Sequence, residues 1–345
     1  MHTRHMTFDV SQADGGVLRA WGEILDLRKA SFVPMVDRLL TAGIIHHMTL
    51  EGRVNAATRV LEALDTQQPY VAVEPSESSR GECCRDPAPL LQELVGKPFD
   101  ATFSKELVRL FGGPRGCSHL LTLFYQMASA LPRAFAFEEA ARAAQPAERG
   151  VGECLFRRAI FVDGFEPDAD GLHLAISLMD YHSAPLEAGD RRLDLVGEYH
   201  EVRVLVHLSL SDLKFQSIEV GERTRTRTTL DAPWLDRSDQ VASLVGRGVM
   251  PGLGTELRGL LGECPDAART LDALLQIAPG FVQCMPALSD RVFDKLAADG
   301  NLNVGHGMPS FLASGGSIDS CYMWRGDSPL LDFWRTQPEK PKRSA

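Results

Sequence analysis

The chain has 345 residues, 44% of them hydrophobic and 24% charged, with 36 basic against 46 acidic side chains and a formal net charge of −10. That length suits two domains or one large one, and the composition excludes disordered, fibrous and disulfide-scaffold classes. The acidic balance argues against nucleic acid as a partner, because a duplex-coating surface must replace counterions with Lys and Arg. With no apolar run of about 18 residues, no transmembrane helix and no membrane partner are expected. The opening Met1-His2-Thr3-Arg4-His5-Met6 has no apolar stretch of an export signal, and seven cysteines are an odd count. Free thiols in a reducing cytoplasm are therefore the expectation.

Taken in chain order, Gly15-Gly16 predicts a first hairpin turn. A second hairpin is expected from Ile44 to Glu51 and from Thr58 to Leu64, then a Pro- and Ser-rich loop over 74–89. Helical patterns follow at 101–111 and 117–130, and a link at 141–152. The order then repeats. A turn at Asp170-Gly171 precedes His200 to Leu210, whose alternation marks a half-buried strand, with a return from Lys214 to Val220. Helical patterns recur at 251–261 and 266–278. Ser289 to Ala298 reads as helix, the glycines near 305–316 as irregular chain, and 338–345 as a frayed end. Strands followed by helices predict an α+β fold rather than a parallel α/β sheet.

Short matches support an internal duplication. Leu94-Val95-Gly96-Lys97 recurs as Leu244-Val245-Gly246-Arg247, Glu106-Leu107 as Glu256-Leu257, and Gln126 as Gln276. Upstream, Gly16, Ala20 and Asp26 find partners in Gly171, Ala175 and Asp180, and His46 in His200. The reading is two diverged α+β copies, 7–136 and 160–286, followed by a wrapping segment, 287–345. Each copy is expected to hold an antiparallel sheet of about four strands and two or three helices, with the copies related by a pseudo-twofold axis.

Chemistry points to the first copy. Gly112-Gly113-Pro114-Arg115-Gly116-Cys117-Ser118-His119 is a glycine-rich turn into a helix, where free backbone N–H groups, a cation and a thiol converge. Its counterpart at 262–270 lacks the Gly-Gly-Pro-Arg-Gly run and the histidine and reads as a plainer helix entry with Asp266 as N-cap. Read functionally, Arg115 and Gly116 hold a carboxylate or phenolate while Cys117 or His119 touches the substrate; read structurally, the turn is tight and Cys117 packs. His46 shares a strand face with Met48 and Leu50, as a core histidine or as a general base at neutral pH, with His47 beside it. Arg225 lies at the centre of an alternating Arg/Thr run, 223–228, which could clamp an acidic substrate or form a solvated strand edge. Zinc on Cys117, His119 and His46 is conceivable, but no ligand spacing of a known zinc motif occurs. No glycine motif for a nucleotide cofactor and no nucleophile elbow are present.

His46-His47-Met48, Leu94-Val95-Gly96, Gly112-Gly113 and Gly116-Cys117-Ser118-His119-Leu120 together resemble a bacterial domain family of unknown function. That family shows H-D-M on a strand, an L-x-G step and G-C-T-H-L at a helix start. Its closing cysteine with polar and aromatic residues before D-G resembles Ser320 to Asp327 here, including Tyr322 and Trp324. His47 departs from the pattern, standing where the family has aspartate. The resemblance implies catabolism of phenolic or other aromatic compounds and no particular mechanism.

The leading expectation is a cofactor-independent lyase or isomerase for a small aromatic, anionic or phenolic substrate. His46 moves a proton, assisted by His47 or His119; Arg115, Gly116 and Cys117 line the turn, Arg225 contributes a cation, and Tyr322 and Trp324 roof a pocket between the copies. The alternatives are a non-catalytic ligand-binding protein or partner subunit, and a metal-dependent hydrolase built on Cys117, His119 and His46. A homodimer is left open.

Overall fold

Alternation in the sequence becomes alternation of burial along every long strand. β1 (His2–Gln12) pairs antiparallel with β2 (Val17–Arg28) across the turn Asp14–Gly16, where Gly15 and Gly16 take positive φ. β3 (Val33–Met35) and β4 (Arg38–Leu40) form a small separate sheet. β5 (Gly43–Asn55) and β6 (Leu61–Tyr70) make the second hairpin, and α1 (Phe103–Phe111) and α2 (Ser118–Ala144) follow. Four more strands come next: β7 (Cys154–Phe165), β8 (Gly171–Ala188), β9 (Arg191–Ser209) and β10 (Phe215–Thr226), then the short β11 (Leu235–Asp236). α3 (Ser238–Val241), α4 (Leu253–Leu261) and α5 (Ala268–Leu274) precede further helix at 277–284. A turn at Tyr322–Trp324 and a helix at Pro329–Thr336 end the described chain. This computed structural model describes residues 2–29, 33–35, 38–40, 43–100, 102–144, 151–165, 171–188, 191–226, 229, 231–249, 252–262, 264–284 and 318–336. The expected helix at 289–298, the irregular chain near 305–316 and the frayed 338–345 lie outside them.

The fold is α+β, but the strands do not divide into two sheets of four. They form one antiparallel sheet of nine strands, ordered β11-β10-β9-β8-β7-β1-β2-β5-β6. The joint is β1 against β7, with Met6 opposite Ile160, Arg4 opposite Val162 and Phe8 opposite Arg158. Local periodicity carries no information on that pairing. The expected units starting at 7 and 160 cut into β1 and β7, which begin at His2 and Cys154.

Helices cover one face of the sheet. On that face Met6, Phe8, Ile24, Met48, Leu50, Ile160, Val162, Leu178, Val202 and Val204 are buried, each such side chain contributing roughly 1.5–3 kcal/mol when withdrawn from water. α2 spans both halves: Leu123 fills the space over Gly22 of β2, while Gln126 accepts a hydrogen bond from Arg158 of β7. Residues 277–284 return the reach, with Gly280 against Val162 and Gln283 beside His119. The opposite face carries half-exposed polar and aromatic groups, such as His5 stacked on Phe161 and Arg157 paired with Asp9. Ala20 is buried on the covered face and Ala175 is not, so those two residues are not counterparts; a one-residue slip turns a side chain to the other face.

Candidate functional site

Three neighbouring strands carry polar residues into the apolar face. Register sets Arg4 of β1 opposite Asp26 of β2, and Asp26 opposite His46 of β5. Asp26 is completely buried, yet its carboxylate is crowded with donors. Arg4 binds it bidentately, Nε to Oδ1 at 2.7 Å and Nη2 to Oδ2 at 2.9 Å. His2 Nε2 lies 3.2 Å from Oδ1, His46 Nδ1 3.1 Å from Oδ2, and His119 Nε2 3.2 Å from Oδ2. An ionised carboxylate only accepts, so each facing ring nitrogen carries the proton.

His119 arrives from the helix side. Gly116 has no room for a side chain, since a Cβ there would overlap the Phe111 carbonyl oxygen and lie 2.6 Å from its ring. That close approach sets the start of α2, and His119, on its first turn, stacks on His46 with ring centroids 3.8 Å apart. The side-chain amide of Gln283 lies 3.1 Å from His119 Nε2.

The electrostatics follow from burial. Burial alone would raise the Asp26 carboxyl, but the Arg4 charge and the hydrogen bonds from His119, His2 and His46 outweigh it and hold the group well below the usual carboxylate range. Burial, helped by the neighbouring His46, brings His119 down to about 3, and burial lowers His2 as well. The centre is thus a carboxylate–guanidinium pair with a neutral His119. Such a buried pair is weak evidence for stability, because desolvating two ions offsets their attraction.

The other half of the sheet supplies a comparison at matching register. Arg158 pairs with Asp180, and Asp180 with His200, as Arg4 pairs with Asp26 and Asp26 with His46. Arg158 also binds its aspartate bidentately, at 2.7 and 2.8 Å. The surroundings differ. Arg269 donates to Asp180 Oδ2 at 3.0 Å, and His200 is held by Thr224 at 2.8 Å and lies beside Glu198. A buried Arg–Asp brace is common to both halves; a carboxylate ringed by imidazoles belongs to the first.

The expected site residues separate into groups. His46 and His119 come together. His47 points to the opposite face and bonds Glu23 at 2.7 Å, so it does not reach them. Cys117 is buried beneath the site with its thiol 4.0 Å from Met48 Sδ, and burial pushes that thiol up to about 12. Arg115 is exposed and donates to the Val108 carbonyl at 3.3 Å. Gly116 accepts from the Tyr322 backbone N–H at 2.7 Å, and Met323 packs with Val73 and Leu330. Tyr322 and Trp324 therefore rest on the 113–117 turn and the loop after β6, not over the β1/β7 joint. Arg225 is six strand spacings from β5, roughly 29 Å, and does not join the cluster.

Sequence reasoning missed Asp26, Arg4 and His2 as members. The available signal was a charged residue at every second position of an apolar strand face, as in Ile24-Leu25-Asp26-Leu27-Arg28. Ligand atoms of Asp26, His46 and His119 lie within 4.8 Å of one another, so among the described residues these three form the group that could hold a metal ion, and Cys117 is not part of it.

No helix among the described residues is long and apolar enough to cross a membrane. No curated protein and no solved structure matches the chain. Residues 2–132, which contain every member of the cluster except Gln283, are similar to a protein family of unknown function, DUF2889.

Proposed function

We propose that Asp26, His46 and His119 form the proton-transfer centre of a lyase or isomerase acting on a small substrate. The observation that carries this reading is the hydrogen bond from His46 Nδ1 to buried Asp26. A carboxylate that fixes one ring nitrogen leaves Nε2 as the nitrogen that takes and returns a proton, the division of labour found in acid–base dyads. His119, neutral and stacked on His46, limits how that ring can turn. The matching element order and register of the two halves support descent from one duplicated unit, in which both halves hold the brace and the first alone rings its carboxylate with imidazoles. The aromatic or phenolic character of the substrate rests on the family resemblance.

The test is turnover. Protein incubated with a panel of phenolic and phenylpropanoid compounds in D2O is followed by mass spectrometry for cleavage or deuterium incorporation. His46→Ala is expected to lower the rate by ~10²–10⁴-fold with the fold intact. Undiminished turnover in that variant overturns the assignment.

A second reading, a divalent metal on the same three residues, is favoured by the 3.1 and 3.2 Å separations of the two histidine nitrogens from Asp26 Oδ2. Tetrahedral zinc with bonds of ~2.0–2.1 Å needs ligand separations of about 3.3 Å. Against it, Arg4 already donates to both oxygens and places a positive charge where a dication would sit. Stoichiometric metal in a native mass spectrum, with activity lost on chelation, would replace the first reading by the second.

A further inference from the structure

Two residues beyond Asp26 on the same face of β2 stands Arg28, only 2% exposed. Its Nη2 donates to the Gln283 carbonyl at 2.9 Å, while its Nε and Nη1 are buried with no acceptor. Its cross-strand neighbour His2, protonated at Nε2 toward Asp26, has a buried Nδ1 that is an acceptor without a partner. A buried cation without an anion is costly, and a buried donor without an acceptor adds to the cost. Among the described residues no carboxylate pairs with Arg28, and Asp26 is already held by Arg4. Cys284 lies close by, but burial pushes its thiol up to about 12, so it supplies no charge at neutral pH.

The other half of the sheet folds without a cation at this station. There His182 stands opposite Phe156, between the rings of Phe137 at 4.4 Å and Phe156 at 4.9 Å, and burial brings it down to about 4. The architecture therefore does not require Arg28. On its other side Arg28 faces Gly43 of β5, and among the described residues nothing lies within 4 Å of where a Cβ would project from that glycine. The charge and its free donors thus lie about two residues, roughly 7 Å, from the Asp26 row, beside a glycine rather than a side chain.

We infer that Arg28 holds the carboxylate of the substrate, an organic acid whose reacting carbon lies over His46. The missing partner of the guanidinium is then the ligand itself, the anionic end of a molecule whose other end reaches the imidazoles. This inference rests on the proton-transfer reading for the identity of the site, and its test is kept separate from turnover. Calorimetric titration of the full chain with benzoate, benzamide and inorganic phosphate reads binding alone. Wild-type protein is expected to bind benzoate and to discriminate against neutral benzamide. Arg28→Gln should weaken benzoate at least tenfold, and Arg28→Lys should restore part of it. Benzoate bound no better than benzamide overturns the inference even if an Arg28 variant fails to fold, and so does equal affinity in wild type and Arg28→Gln. Phosphate bound in an Arg28-dependent way without benzoate overturns it in favour of a phosphorylated ligand. Normal benzoate binding with no His46-dependent turnover would instead sink the proton-transfer reading and leave the carboxylate site standing.

Discussion

His119 and Arg269 do the same task at matching stations: each donates from the helix side to Oδ2 of a buried aspartate, at 3.2 and 3.0 Å. The two aspartates, Asp26 and Asp180, each already hold a bidentate arginine from the preceding strand. The pair thus separates what the fold needs, a donor over the carboxylate, from what chemistry needs, an imidazole there.

Exchanging the donors tests that separation. His119→Arg should still fold, because the second half holds an arginine at this station, and should lose turnover. Asp26→Asn leaves Arg4 buried and uncompensated and should cost roughly 3–5 kcal/mol by urea denaturation.

Acid should weaken the fold before any carboxylate titrates. His119 and His182 have folded values of about 3 and about 4, below the ordinary histidine value, so between those values and about 6.5 the unfolded chain binds protons that the folded chain refuses. Stability therefore rises with pH through this window and is lost as pH falls through it. Each imidazole should contribute roughly 1–2 kcal/mol between pH 6.5 and 5. Urea midpoints of wild type and His182→Gln at the two pH values check this; an unchanged slope in the variant would contradict it.

Thiol reactivity should follow burial rather than position in the turn. Cys264 is exposed, whereas Cys117 and Cys284 are buried with thiols raised to about 12. Iodoacetamide at pH 7.5 should label Cys264 and spare the other two in the native protein. Cys117→Ala should keep turnover within a few fold, since the thiol packs on Met48; loss comparable to His46→Ala would make it a reacting group.

Gly116 carries a steric requirement. Gly116→Ala should cost on the order of 2–4 kcal/mol and displace His119, because the new methyl meets the Phe111 carbonyl and ring. Near-native stability would mean that the turn yields easily.

The hairpins and helices were legible because alternation and glycine turns are local signals, and His46 and His119 stood out as histidines in apolar or turn contexts. The continuous sheet was not legible: β1 meets β7 across some 150 residues, and only tertiary pairing makes that joint. Asp26, Arg4 and His2 were overlooked for a related reason. They lie on two different strands, and only lateral register gathers them around one carboxylate. His47 shows the converse, since adjacency in a strand places its side chain on the wrong face.

The most direct measurement is imidazole ¹⁵N NMR of the full chain, with His46 assigned through His46→Gln. The proton-transfer reading predicts that His46 Nδ1 bears the proton shared with Asp26 and that Nε2 bears none in the neutral ring. A His46 whose Nδ1 is unprotonated, or carries a metal, would contradict it.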